Sequence, residues 1–238
     1  MALRKTWTEM LTSIRANLDE ASPGFWTDAG LLRMANRQKD RVWSEVRRAQ
    51  QDYFTVTRTS LDGALTILGT SYAATGFQIV ASTRDYTLPP DLAQLVTIEV
   101  ITSGFEHLRF SFRPATDPQF RQALTLTDAM EPEGFLYTLL GERTMRITPP
   151  SNRTLDLRLT YVAIVPDLTV GADTLEMPHP LYRAVEEYTC AQALMADRAP
   201  EAAAWEARGN ATIASFLGSN DRQSTDPEFV AGYLENWN

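Results

Sequence analysis

The side chains that could carry out chemistry are few. The 238 residues contain two histidines, His107 and His179, and one cysteine, Cys190. The histidines lie 72 positions apart with no HExxH or comparable spacing around either, which leaves little for imidazole-based metal binding or general-base catalysis. There is no GxSxG nucleophile elbow and no Gly-rich phosphate loop. A single cysteine excludes an intramolecular disulfide and any multi-cysteine metal site, and it fits a reducing interior. Cys190 falls between Tyr188 and Ala191 on an apolar helical stripe, where a small buried hydrophobe is its ordinary role. Glu186-Glu187 and the run Glu201 to Glu206 are expected to solvate helix faces, because acid-base work by paired carboxylates needs a pocket. The expectation is a protein that is not an enzyme and holds no cofactor and no metal. What remains is binding surface. Arg33, Arg37, Arg41 and Arg48 recur at spacings of four and seven on one helical face, either a solvated face or a contact surface for an acidic partner, a neighbouring copy or DNA. Phe229, Val230, Tyr233, Leu234 and Trp237 follow a polar linker, as a binding arm would, or as a segment that folds back on its own subunit.

Composition narrows the setting. At 26.7 kDa, with 44% hydrophobic and 22% charged residues, the chain is an ordinary globular protein of one large or two small domains. No apolar run approaches the roughly 18 residues a membrane span needs. The stretch behind Met1 to Lys5 mixes apolar residues with Thr, Glu and Arg, so export is not expected. The net charge of −8 is uneven. Residues 1–50 hold nine Lys or Arg against six Asp or Glu, residues 51–164 nine against twelve, and residues 165–238 four against twelve. A chain this acidic is not built to wrap nucleic acid, which needs a basic surface. Ends of unlike charge suit head-to-tail contact between copies.

The elements that must position these groups follow from periodicity. Trp7, Met10, Leu11, Ile14 and Leu18 predict an amphipathic helix over about 3–18, broken by Ser22-Pro23-Gly24. A second helix starts at Thr27 or Asp28, either able to cap it, and runs to about Gln51 with Leu32, Ala35, Val42, Trp43, Val46 and Ala49 inward. From Tyr53 the period changes to that of short strands, β-branched or aromatic, at about 53–57, 64–68, 76–81, 85–88, 95–101, 108–112, 135–140, 144–147 and 155–165. Leu108, Phe110 and Phe112 share one face by alternation, as do Leu155, Leu157, Leu159 and Tyr161. A short helix or turn is expected within 117–127. Three prolines in 166–180 mark a connection. Helix returns at Leu181, with Ala184, Val185, Tyr188, Ala191 and Leu194 buried, and again after Pro200, with Trp205, Ile213, Phe216 and Leu217 inward. Trp7, Trp26, Trp43 and Trp205 are expected in the core. The order predicts an α+β fold, in which N- and C-terminal helices form a bundle with an inserted antiparallel β domain. The expected parts are 1–50, N-terminal helices; 51–165, the β domain; 166–218, C-terminal helices; and 219–238, an extended tail.

Several runs in this order carry a family resemblance. They are Phe25-Trp26-Thr27-Asp28-Ala29-Gly30-Leu31-Leu32 with Asn36 one turn on, then Tyr86-Thr87-Leu88-Pro89-Pro90-Asp91-Leu92, then the Tyr137 to Pro149 stretch. "LRLTYVAIVPDLT" and "MPHPLYRAVEEYTCAQALMADRAPEAAAW" complete the set. Together, over roughly residues 5–217, they resemble the tailed-bacteriophage head-to-tail connector, or adaptor, family. The resemblance implies a homo-oligomeric ring of about twelve copies under the portal protein, at the head–tail interface of a virion, assembled from protein made in the host cytoplasm. Such a ring extends the DNA channel, passes DNA without sequence-specific binding, and meets a tail, stopper or nozzle protein, with no membrane involved. An acidic channel wall would repel phosphates and let DNA slide. Members of the family dock to the portal through a terminal segment, which residues 219–238 match in character. Two readings of other classes stand beside it: a β-rich tail or baseplate module recognising a surface glycan, and a hydrolase whose site would involve His107 or His179.

Overall fold

The computed structural model describes residues 5–20, 24–50, 53–62, 65–67, 70–73, 77–125, 134–141, 143–169, 171–195 and 198–225. The fold is α+β, and the chain divides into two units, Met1–Tyr53 with Val165–Asn238, and Phe54–Ile164.

In the helical unit, α1 (Trp7–Asn17) begins where Thr6 can cap it. Glu9 N–H donates to Thr6 Oγ1 at 3.3 Å, and Thr6 N–H donates to Glu9 Oε2 at 2.7 Å, a reciprocal box that satisfies two otherwise orphaned donors. Trp7, Met10, Ile14 and Leu18 are buried. Thr27 likewise caps α2 (Asp28–Ala49), accepting from Gly30 N–H at 3.1 Å. Its buried positions are Leu31, Ala35, Lys39, Val42 and Val46; of the expected stripe Ala35, Val42 and Val46 are buried, while Leu32 and Trp43 are half-buried and Ala49 is exposed. The last two helices are α4 (His179–Leu194) and α5 (Ala199–Thr225). α4 packs against α1, α2 and α5 and is buried on nearly every side, Glu186, Glu187 and Thr189 included. This is the pattern of a central helix rather than a surface one. α5 comes close to it at Gly209, where a Cβ would lie 2.7 Å from the Tyr188 ring. The helix does not stop at Gly218 as the sequence suggests. It continues to Thr225, into the stretch expected to be an extended tail.

The β unit contains, among the described residues, the ten strands β1 (Thr55–Thr59), β2 (Leu65–Ile67), β3 (Thr70–Tyr72), β4 (Gln78–Ile79), β5 (Asp85–Thr87), β6 (Leu92–Val100), β7 (Arg109–Phe112), β8 (Gly134–Leu140), β9 (Thr144–Thr148) and β10 (Leu155–Ala163). The helix α3 (Pro118–Leu124), capped by Asp117, lies between β7 and β8. β10 is the axis of the first sheet, antiparallel to β1, β6 and, at its start, β4. Its strict alternation buries Leu155, Leu157, Leu159 and Tyr161. The second sheet has the order β5-β9-β8-β7, and β2 and β3 form a separate hairpin. β3 escapes prediction because Thr-Ser-Tyr has no apolar alternation to detect. β7 and β8 run parallel, the exception in an otherwise antiparallel set; residues 113–133 between them are long enough for the crossover a parallel pair needs. One core joins the sheets, with Phe135, Met145 and Ile147 meeting Phe77, Ile79, Val100, Leu157 and Tyr161. Phe112 does not reach it. At the end of edge strand β7 it is 54% exposed and rests edge-on against Tyr137, centroids 5.6 Å apart. A polar knot is sealed in the same core: the Tyr161 hydroxyl donates to Asp91 Oδ1 at 2.8 Å and accepts from Arg58 Nε at 3.1 Å.

Candidate functional site

The groups with catalytic potential are divided between the two units. His107 and His179 are both exposed, one in each unit, and among the described residues no group of three or more His, Cys, Asp or Glu is placed to hold a metal ion. Cys190 has no exposed surface. Its Sγ lies 4.0 Å from the Ile14 carbonyl oxygen, and burial pushes the thiol pKa up to about 12, which removes the thiolate that reactivity requires. It serves as a small hydrophobe, in line with its place on the stripe.

Glu186 and Glu187 correct the sequence reading, since neither solvates a helix face. Glu186 is 6% and Glu187 3% exposed. Lys5 Nζ donates to Glu186 Oε1 at 2.5 Å, tying the start of α1 to the middle of α4. Burial raises the Glu186 pKa above the usual carboxylate value, and the Lys5 hydrogen bond only partly offsets it. Glu187 accepts from Arg183 Nε at 2.9 Å and from the Thr212 hydroxyl of α5 at 2.8 Å. Buried carboxylates with partners on three elements are struts.

The arginine face of α2 divides. Arg33, Arg37 and Arg48 are exposed. Arg41 is half-buried and turned to its own subunit: its Nε donates to Glu45 and its Nη2 to Glu206 of α5, both at 3.0 Å, while the guanidinium sits 4.0 Å above the Tyr188 ring centre. Three of the four residues therefore remain available to a partner, and the fourth holds α2 to α4 and α5. Phe229, Val230, Tyr233, Leu234 and Trp237 lie outside the described residues.

Two residues of α2 that composition hides position the chain's return to the helical unit. Lys39, 2% exposed, donates to the Val165 carbonyl at 2.9 Å and is ion-paired with Asp167 and Asp40. Asn36 bonds both backbone groups of Leu168, donating to its carbonyl and accepting from its N–H, each at 2.9 Å. The signal for Lys39 was its helical phase, four residues after Ala35 and three before Val42. Of the expected core tryptophans, Trp7 is buried, whereas Trp26, Trp43 and Trp205 are half-buried. The guanidinium of Arg47 covers the Trp43 face at 5.1 Å, and that of Arg208 covers Trp205 at 4.5 Å, so the rings keep one packed and one charged side. Among the described residues no helix is long and apolar enough to cross a membrane.

Within the helical unit buried ions tie elements together, and Arg33, Arg37 and Arg48 are left exposed. A family model described as SU10 adaptor protein matches residues 5–230. No curated protein matches the chain.

Proposed function

The chain belongs to the SU10 adaptor family of phage head–tail adaptors, and from that membership we propose that it forms a ring under the portal protein, extends the DNA channel and docks the tail. The observation that carries this reading is the extent of the family match, which takes in both units and nearly all of the chain. The helical unit supports it physically. A cyclic ring of identical subunits needs two different patches on each copy, and the first fifty residues have an excess of positive charge while residues 165–238 have eight more acids than bases. In this reading Arg33, Arg37 and Arg48 form one contact patch, and Phe229, Val230, Tyr233, Leu234 and Trp237 order on a neighbour, portal or adjacent copy. The acidic balance suits a channel wall past which DNA slides without adhering. The ring sits at the head–tail interface of the virion, with the portal on one side and a tail, stopper or nozzle protein on the other. Family membership favours this scaffold over a glycan-binding module or a hydrolase.

Mass in solution, measured by light scattering or native mass spectrometry alone and with the matching portal, tests the proposal. The expected result is a species of low copy number that becomes a ring of about a dozen copies on the portal. A chain that stays unassembled beside the portal overturns it. Substituting His107 or His179 is expected to leave assembly unchanged.

A further inference from the structure

The second sheet ends in an open edge at β7. Arg113 N–H donates to the Tyr137 carbonyl of β8 at 2.8 Å, and the Arg109 carbonyl oxygen lies 2.6 Å from where a Cβ on Gly134 would stand. Alternation along the strand therefore turns the backbone groups of Arg109 and Ser111 to β8, and those of Phe110 and Phe112 the other way. On that side neither phenylalanine has a backbone partner among the described residues. A row of amide groups left in this state is a template for a further strand.

The two faces beside the edge are unlike. On one, Phe110 stacks on Phe135 with ring centres 5.2 Å apart, and the same row leaves the core at Tyr137, Phe112 and Leu139. Phe112 is 54% and Leu139 40% exposed, so apolar surface stands in water directly beside the open amides. The other face carries Arg109, Ser111 and Arg113, all exposed. Arg109 shares a recess with Glu106 and with Glu99 and Arg158, which pair with each other at 3.3 Å. The carboxylate beside Arg113 is Asp117, at 4.0 Å, and it already accepts from the N–H groups of Gln119 and Phe120 at the start of α3.

We propose that the β7 edge is a docking site for one extended strand of a partner protein, in which apolar residues alternate with acidic ones. Added to β7, such a strand pairs with the amide groups of Phe110 and Phe112, lays its apolar side chains over Phe112, Tyr137 and Leu139, and sets its carboxylates opposite Arg109 and Arg113. Charge decides between this occupant and a second copy. Two β7 strands paired antiparallel about Ser111 would place Arg109 of each against Arg113 of the other, and like charges directly opposite are destabilising. Charged side chains at an edge ordinarily prevent such self-pairing, whereas acids on the incoming strand turn the same arginines into partners. The site lies within the β unit and does not depend on ring formation.

The probe is a fluorescein-labelled peptide, Ser-Val-Glu-Val-Glu-Val-Ser, titrated onto the full chain. Two further peptides carry lysine in place of both glutamates, or methyl groups on the three central amide nitrogens. Saturable binding of the glutamate peptide is expected, with binding of each of the others weaker by about tenfold or more. Phe112→Ser and the pair Arg109→Glu with Arg113→Glu should each weaken it to a similar extent, while Arg37→Glu in the helical unit leaves it unchanged. The double variant should prefer the lysine peptide instead. Amide exchange read by mass spectrometry should slow in residues 108–113 when the glutamate peptide is bound. Circular dichroism confirms the fold of each variant, and the comparison of the three peptides on the natural chain tests the site without any substitution. A glutamate peptide that does not bind, a lysine or methylated peptide that binds equally well, or exchange slowed only outside β7 overturns the proposal. So does a natural chain that dimerises by itself and becomes monomeric in Phe112→Ser, since the edge would then belong to a second copy.

Discussion

Lys39 shows how a single residue can be misread when only its type is considered. By composition it belongs on a solvated face, yet its phase on α2 places it in the buried stripe, where its ammonium group meets the Val165 carbonyl, Asp167 and Asp40. The two carboxylates are about two-thirds exposed, so water would hydrate them if the lysine were lost. The carbonyl and the void left by the aliphatic stem would carry most of the cost. Lys39→Ala is therefore expected to destabilise the protein by about 3 kcal/mol, less than the upper range for breaking a fully buried pair. Lys39→Met, which keeps the stem, should lose roughly half of that. Urea unfolding followed by tryptophan fluorescence checks both, and equal losses for the two variants would show that packing of the stem is irrelevant. Glu186 was misread for a related reason: Glu-Glu in an amphipathic pattern looks solvated, and only the burial of α4 on every side makes it internal. Its pKa is raised in the folded state by burial. The folded protein thus holds this proton more tightly than the unfolded chain does, and stability from Glu186 is present below the ordinary carboxylate value of 4.5 and lost as pH rises through the folded value. In Glu186→Gln that loss is absent. The stability of the variant relative to the natural protein should therefore increase as pH is raised from the acid side, read from urea midpoints across the range; a flat difference would mean that Glu186 titrates as if exposed.

At the level of elements, the sequence was most legible where one period ran long. The helical stripes of α1 and α4 and the alternation of β10 were readable because packing agrees with local propensity there. Boundaries failed where packing extends an element beyond its sequence signals. α5 passes through Gly218, a residue that ordinarily marks a helix end, and reaches Thr225. Phe112 alternates correctly but lies at the end of an edge strand, where there is no core left to enter. Gly209 shows a contest between local and tertiary terms within one helix. Replacing glycine by alanine in a helix interior gains about 1 kcal/mol from propensity alone. Here the new methyl would sit 2.7 Å from the Tyr188 ring. That ring cannot easily move: it is 1% exposed, its hydroxyl donates to Asn210 Oδ1 at 2.6 Å, and Arg41 covers its face. Overpacking of this kind costs typically 1–3 kcal/mol, and the rigid surroundings place it at the upper end. Gly209→Ala is expected to be net destabilising by about 1–2 kcal/mol, with a thermal midpoint lowered by roughly 2–8 °C at this chain length. A raised midpoint would show that α4 and α5 can separate by a few tenths of an ångström without loss.

For the whole molecule, the α+β order is visible in the sequence because the apolar period switches from that of a helix to that of a strand at Tyr53 and back beyond Pro178. The candidate surfaces were only partly legible. The spacing of arginines on α2 says that they share a face but not what that face meets, and Arg41 is drawn inward by Glu206, 165 residues away, a partner no local pattern reveals. The three arginines left outside allow a test of how copies recognise each other. If Arg33, Arg37 and Arg48 meet the acidic surface of a neighbouring copy, reversing all three to Glu places like charges across the contact, which costs several kcal/mol in total. None of the three is buried, so the fold should be retained, with a small loss because Arg48 stands in the last turn of α2, where a cation complements the helix dipole. The expected outcome is a thermal midpoint lowered by only a few degrees together with loss of ring formation on the portal, the first read by calorimetry and the second by light scattering. Ionic strength gives an independent check on the natural protein. Raising salt from about 0.05 to about 0.5 M shortens the screening length from about 14 Å to about 4 Å, so a contact steered by exposed charge should assemble more slowly and at higher protein concentration. A contact dominated by apolar anchors should be indifferent to salt or strengthened by it. Normal assembly of the triple variant, joined to indifference to salt, would return the arginine face to the solvent and leave the apolar residues at the end of the chain as the main recognition element.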